Sequence, residues 1–103
     1  MKIAAALAAL IVSFAVLAAP SVMRHDDGAD FIRLFNVPCA NDRVLARTPP
    51  QYRDALRAGE GFIGGKMYGM CWLALPDGSV GMVYEDGDAG RLPVQAFRPE
   101  VNT

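Results

Sequence analysis

The chain has few of the residues that usually carry chemistry, with one histidine and two cysteines among 103 residues. A structural zinc site needs about four ligands of the Cys, His or carboxylate type, and His25 lies in a polar segment away from both cysteines. Catalysis by nucleophiles, acids or bases needs paired groups, whereas the clustered carboxylates Glu85, Asp86 and Asp88 fall on a predicted loop tip. We therefore expect a protein that is not an enzyme and uses no cofactor.

The chain also lacks an excess of basic residues. Setting aside an N-terminal export segment that contains Lys2 leaves nine basic and eleven acidic residues, and a net charge of −2. Proteins that bind nucleic acids present a basic stripe or patch to the phosphate backbone. The composition therefore argues against a nucleic acid as the partner.

The N-terminus has the pattern of a signal peptide over residues 1–18. Lys2 supplies a short positive region, residues 3–17 are apolar and uncharged, and Val16 and Ala18 place small residues before a cleavage site. We expect cleavage after Ala18 and a periplasmic or secreted mature protein. The alternative is an uncleaved anchor, because a run of about 17 apolar residues is at the short limit for spanning a membrane. The protein would then be a membrane-tethered accessory protein.

The mature part of about 85 residues forms one domain at most, and a core of that size is marginal without a covalent link. We expect a flexible N-terminus over residues 19–30, a single domain over residues 31–98 and a frayed tail over residues 99–103. Two cysteines in a short exported chain favour a disulfide, which predicts a bridge between Cys39 and Cys71. The loop that it closes would be stabilised by roughly 3.5–4 kcal/mol in the chain-entropy description.

A β-hairpin is predicted over residues 67–85. Its two arms are rich in apolar and aromatic residues, and Pro76-Asp77-Gly78 between them is typical of a tight turn. Pairing Leu75 with Ser79 determines the register of the whole hairpin. Gly64-Gly65 predicts a second, two-residue turn, and residues 31–37 predict a first strand.

This register collects large apolar side chains on one face of the hairpin, because side chains alternate along a strand. The face is our candidate partner-binding surface, since aromatic and Met residues are enriched at the centres of interfaces; it consists of Tyr68, Met70, Trp72, Met82 and Tyr84. The opposite face, with Cys71 and Leu73, is also apolar. The alternative is therefore that the candidate face is core and that both faces are covered.

One helix is predicted before this hairpin. Thr48 is a favourable N-cap, Pro49 suits the first helical position, and Gly59 suits the end of the helix. Tyr52 and Leu56 would face the sheet. The predicted fold class is α+β, with a small antiparallel sheet of three to five short strands, one helix packed on it and one disulfide.

Asp86 and Asp88 are weak candidates for a metal site. They match the first two ligand positions of a calcium loop of the EF type, but Phe97 stands where the loop needs a bidentate Glu. The Asp-Gly sequence of this segment is more typical of a simple turn. We therefore predict no metal site.

A spaced set of residues runs through most of the predicted domain: Cys39, Gly65-Lys66-Met67-Tyr68, Cys71-Trp72, Asp77-Gly78, Tyr84-Glu85-Asp86-Gly87-Asp88, Pro93 and Phe97-Arg98-Pro99. In this set the chain resembles a group of small exported proteins found in Gram-negative bacteria and their prophages. The resemblance implies export, a disulfide and a phage origin, and it implies no reaction. With the candidate face, it leads us to expect a binding or inhibitory module that acts on an envelope or phage-related protein.

Overall fold

The computed structural model describes residues 22–100, and the predicted signal peptide lies outside them. The described chain forms seven strands and two short helices, in the order β1 (Val22–Asp27), β2 (Asp30–Pro38), α1 (Asp42–Ala46), α2 (Pro50–Arg53), β3 (Arg57–Ile63), β4 (Lys66–Ala74), β5 (Ser79–Tyr84), β6 (Ala89–Pro93) and β7 (Arg98–Pro99). A 3-10 turn, Val94–Ala96, connects β6 to β7.

The seven strands form one antiparallel sheet in the order β6-β5-β4-β3-β2-β1-β7. Its two edge strands follow each other in the chain, and the connection from Pro93 to Arg98 spans at most about 18 Å. A flat sheet of seven strands would set its edges about 28 Å apart. The sheet must therefore curl, which gives it an enclosed inner face and an outer face.

Apolar side chains from most of the strands fill the inner face. The buried members of this core are Leu34, Met70, Val80, Met82, Tyr84 and Phe97. Such a tightly curled sheet needs small residues opposite large ones, and Gly59 meets this need opposite Met70. A Cβ at Gly59 would stand 2.8 Å from the Met70 sulfur and 2.9 Å from the Arg33 carbonyl oxygen.

A helical segment, residues 39–56, covers part of the outer face, and we call it the strap. Val44 of α1 and Leu56 pack with Cys71 of β4 in a second, smaller core. The Cys39–Cys71 disulfide, with its Cα atoms 5.7 Å apart, links the start of the strap to β4. The end of the strap is held there too, because the Cys39 amide donates a hydrogen bond of 2.9 Å to the Leu56 carbonyl. The predicted disulfide is therefore confirmed.

The predicted hairpins are also confirmed. Trp72 pairs with Met82 and Met70 pairs with Tyr84, because the Leu75 amide donates to the Ser79 carbonyl across the turn. Gly64-Gly65 forms the turn between β3 and β4, and both glycines have positive φ angles. Local turn chemistry was sufficient to determine the register of these strands.

The predicted fold class is wrong, because the described residues form seven strands and two short helices instead of three to five strands and one helix. Only Pro50–Arg53 of the predicted helix is helical. The residues that follow it form β3, which pairs with β2 on one side and β4 on the other. Pairing along two edges outweighs the local helix signals, since propensity is a weak prior against tertiary contacts.

The predicted flexible N-terminus is likewise wrong for Val22–Asp27, which forms β1 and pairs with β2 along its whole length. The predicted frayed tail is wrong at its first two residues. Pro99 belongs to β7, and the Glu100 amide donates to the Val22 carbonyl at 3.0 Å. The polar composition of these segments concealed their pairing with distant parts of the chain.

Ion pairs on the outer face connect the C-terminal end of the described chain to the sheet. The Glu100 carboxylate accepts two hydrogen bonds from Arg33, at 2.7 and 3.1 Å, and one from Arg24 at 3.3 Å. Arg33 also donates to Glu60 on β3 at 2.9 Å. The hydrogen bonds from Arg33, and then the one from Arg24, hold the pKa of Glu100 below its usual range.

We predict that Gly59→Ala lowers the free energy of unfolding by about 1–3 kcal/mol, because the added methyl group overpacks the core against a backbone oxygen. Gly90→Ala is the matched control, since a Cβ there meets only the Met82 methyl carbon at 3.7 Å. Urea unfolding followed by tryptophan fluorescence measures both. Equal stability of the two variants would contradict the tight packing at Gly59.

We predict that Glu100→Gln destabilises the protein at neutral pH and has little effect in strong acid. A carboxylate whose pKa is lowered by folding stabilises the folded state above the pKa of the unfolded chain, and this contribution is lost as the pH falls through the folded pKa. Urea unfolding of both proteins between neutral pH and strong acid measures the difference. A difference that does not change with pH would show that the ion pairs are not responsible.

Candidate functional site

The predicted partner-binding face lies on the inner side of the curled sheet. Its five residues do share one face, but Met70, Met82 and Tyr84 are buried in the core, and Tyr68 and Trp72 are half-buried against them. The opposite face is covered in part by the strap. This face is therefore core, as the alternative interpretation proposed, and is not available as a contact surface.

Trp72 also connects strands that do not pair regularly. The register between β2 and β3 shifts between Leu34 and Pro38, which interrupts the ladder of backbone hydrogen bonds. The Trp72 indole N–H donates to the carbonyls of Phe35, at 3.1 Å, and Ala58, at 2.9 Å. The indole thus supplies a hydrogen-bond donor at the point where the ladder is interrupted. Its ring packs against the core at one end of the inner face.

A cavity of about 270 Å³ opens at that end, next to the turn between β4 and β5. Its lining is apolar apart from Ser79, and it includes Met23, Leu34, Trp72, Leu75, Val80, Val94 and Phe97. We call this the end cavity. Openings at the ends of curled antiparallel sheets are common places for binding sites.

A second cavity of about 430 Å³ lies on the outer face, between the strap and β4–β5. Its apolar lining comes from Tyr52, Leu56, Leu73, Leu75 and Val83, and Arg47, Thr48 and Pro49 complete it. We call this the strap cleft. It exists because α1 and α2 are short, so the strap covers only part of the apolar outer side of the hairpin.

The two cavities meet at Leu75, which lines both. Each has an exposed apolar side chain at its border, Val94 for the end cavity (49% exposed) and Tyr52 for the strap cleft (53% exposed). Together they form one apolar surface around Leu75, which we call the end surface. A contiguous exposed apolar surface is a candidate site of interaction.

The charged groups next to the end surface are engaged within the protein. Arg47 donates to the Glu85 carbonyl at 3.1 Å, and Arg91 pairs with Asp77 at 3.1 Å. The Ser79 hydroxyl and amide, followed by the charge of Arg91, hold the pKa of Asp77 below its usual range. An apolar centre with a polar border is the usual composition of a protein–protein interface.

Asp86 and Asp88 lie in the turn between β5 and β6, away from the end surface. The Asp86 carboxylate accepts from the Asp88 amide at 3.0 Å, which is the turn chemistry expected of this segment. Within residues 22–100 no group of three or more His, Cys, Asp or Glu side chains could hold a metal ion. The neighbouring Glu85 has a structural contact, because the Gly69 amide donates to it and lowers its pKa.

The sequence did not indicate the residues of the end surface. Tyr52 is about half exposed instead of facing the sheet as predicted, and Val94 is also about half exposed. Leu75 lies beside Leu73 on the outer side, and because it follows the last residue of β4 it also reaches the end cavity. The places of Leu75 and Val94 depend on how the sheet closes, which no local pattern encodes.

No protein-family model matches the chain, and no curated protein or solved structure is significantly similar to it. Among residues 22–100, no helix is long and apolar enough to cross a membrane. The Cys39–Cys71 disulfide is compatible with an extracellular or periplasmic location, where disulfides persist.

Proposed function

We propose that the protein is an exported, non-enzymatic binding module that holds an envelope or phage-related protein at its end surface. The observation that supports this proposal most strongly is the pair of apolar cavities that meet at Leu75. Binding of this partner would inhibit or recruit it without chemistry.

The sizes of the cavities favour a protein over a small ligand. A cavity of about 150 Å³ in an apolar core accepts a molecule the size of benzene, so each of the two has room for a large apolar side chain. Two adjoining cavities suit a partner that presents two apolar anchors close together, the arrangement found at interface hot spots. A single small molecule would fill one cavity and leave the other exposed.

Export is the second part of the proposal. The signal-peptide pattern over residues 1–18, the disulfide, and the resemblance to exported proteins of Gram-negative bacteria and their prophages support it. The alternative is a tethered accessory protein that keeps its apolar N-terminus. Since Met23, at the start of β1, lines the end cavity, a tethered protein would hold its end surface close to the membrane.

We predict that the protein purified from a Gram-negative periplasm begins at Ala19 and exposes two thiols only after reduction. Intact mass spectrometry, with alkylation before and after reduction, measures both. A full-length mass found in the membrane fraction would support the tethered alternative. A full-length mass with freely alkylated cysteines in the cytoplasm would contradict export.

We predict that Val94→Glu weakens binding of the partner at least tenfold, because it places a charge at the border of the end cavity and about 1.4 kcal/mol corresponds to tenfold in affinity. Cross-linking in the periplasm would identify the partner, and calorimetry with the purified partner would then measure affinity. Met67→Glu is the matched control, since Met67 is 47% exposed but lies at the other end of β4. Equal loss in both variants, or no loss with Val94→Glu, would contradict the proposed site.

A further inference from the structure

Within residues 22–100 the curled sheet is not closed along one side. Strand β7 pairs only with Met23 and Arg24 of β1, so within the described residues His25–Asp27 have no strand beside them on that side. Strand β6 is the other edge of the sheet, and in the described part of the chain it pairs only with β5. The gap between β6 and residues 25–27 of β1 is a lateral opening, which we call the seam.

Both sides of the seam present backbone groups without a strand partner. In an antiparallel pair, alternate residues direct their amide and carbonyl groups to the same side. Because the Tyr84 amide donates to the Asp88 carbonyl, Asp88 and every second residue after it direct their backbone groups toward β5. The backbone amide and carbonyl groups of Ala89 and Arg91, which lie between these residues, therefore point away from β5 and into the seam. On β1 the Val22 carbonyl accepts a hydrogen bond from the Glu100 amide, so Val22 and every second residue after it direct their backbone groups toward the side of β7. The backbone amide and carbonyl of Asp26 point to this side too, at a position beyond the end of β7.

The interior behind the seam has space and is lined by both apolar and acidic side chains. A cavity of about 190 Å³ lies there, and Ile32, Ile63 and Leu92 line it together with Asp27 and Asp30. His25 borders the cavity on the side of β7, where its Nδ1 lies 3.0 Å from the Ala96 carbonyl oxygen and its ring packs on Phe97. An extended chain in the seam would direct alternate side chains into this cavity.

The charges around the seam are mostly negative. Asp26, Asp27 and Asp30 lie at the hairpin between β1 and β2, and Asp86 and Asp88 lie at the turn that leads into β6. Arg24 offsets the charge of Asp26, and Arg91 of β6 and Arg98 of β7 are the other basic residues beside the seam. Like charges disfavour an acidic strand, whereas opposite charges attract a basic one.

We propose that the seam is a strand-acceptor site for an extended, basic segment of a partner protein, in which apolar residues alternate with Arg or Lys. The segment pairs with β6 and with the free part of β1, its apolar side chains enter the cavity at Leu92, and its basic side chains lie near the five aspartates. This mode of recognition uses main-chain hydrogen bonds for affinity and side-chain pockets for specificity. It is independent of the end surface.

The test uses the oxidised mature chain and an eight-residue peptide in which valine alternates with arginine, with blocked termini. We expect saturable binding in NMR titrations and slower hydrogen exchange at the amides of Asp26, Ala89 and Arg91. A peptide with glutamate in place of arginine should bind about tenfold more weakly or not at all. Binding of both peptides with equal affinity would overturn the proposal.

Arg91→Pro removes the free amide on the edge of β6 without removing a hydrogen bond to β5, and proline is tolerated at strand edges. We expect it to weaken peptide binding about tenfold. Arg91→Ala is the control, since it also loses the ion pair with Asp77 but keeps the amide. Equal effects of the two variants would overturn the proposal, as would protection of the same amides by self-association in sedimentation experiments without peptide.

Discussion

The architecture depends on one short connection. The four residues from Val94 to Phe97 join strands at opposite edges of a seven-stranded sheet, and they are too few to do so unless the sheet curls. Curling turns one face of every strand inward, which is why Met70 and Met82 are core residues. It also requires the close approach at Gly59, and it leaves an opening at the end where Val94 lies.

The disulfide has a complementary effect on the other side of the sheet. Cys71 lies on the outer face of β4, and its bond to Cys39 holds the strap over that face. A domain of this size buries little apolar surface, so it would not be stable if both faces of its sheet were apolar and one of them were left uncovered. The strap is shorter than the face that it covers, and the uncovered remainder is the strap cleft. The end surface is therefore the apolar area around Leu75 that neither the curled sheet nor the strap covers.

The hairpin, its register and the disulfide could be predicted because each depends on residues close together in sequence or on a unique pair. Pro76-Asp77-Gly78 determines the pairing of Trp72 with Met82. The helix prediction failed because β3 is stabilised by strands on both sides, which local capping signals do not report. The polar strand β1 was missed for the same reason. The site could not be predicted, since the position of Val94 beside the end cavity depends on how the sheet curls.

The central claim is that the aromatic and Met face of the hairpin is interior and that Trp72 closes it beneath the end cavity. Trp72 is the only tryptophan of the chain, so its fluorescence reports on this position alone. In the oxidised mature protein we predict blue-shifted emission and weak quenching by acrylamide, both lost on unfolding in urea. Emission and quenching already equal to those of the unfolded chain would show that this face is exposed to solvent and would contradict the account.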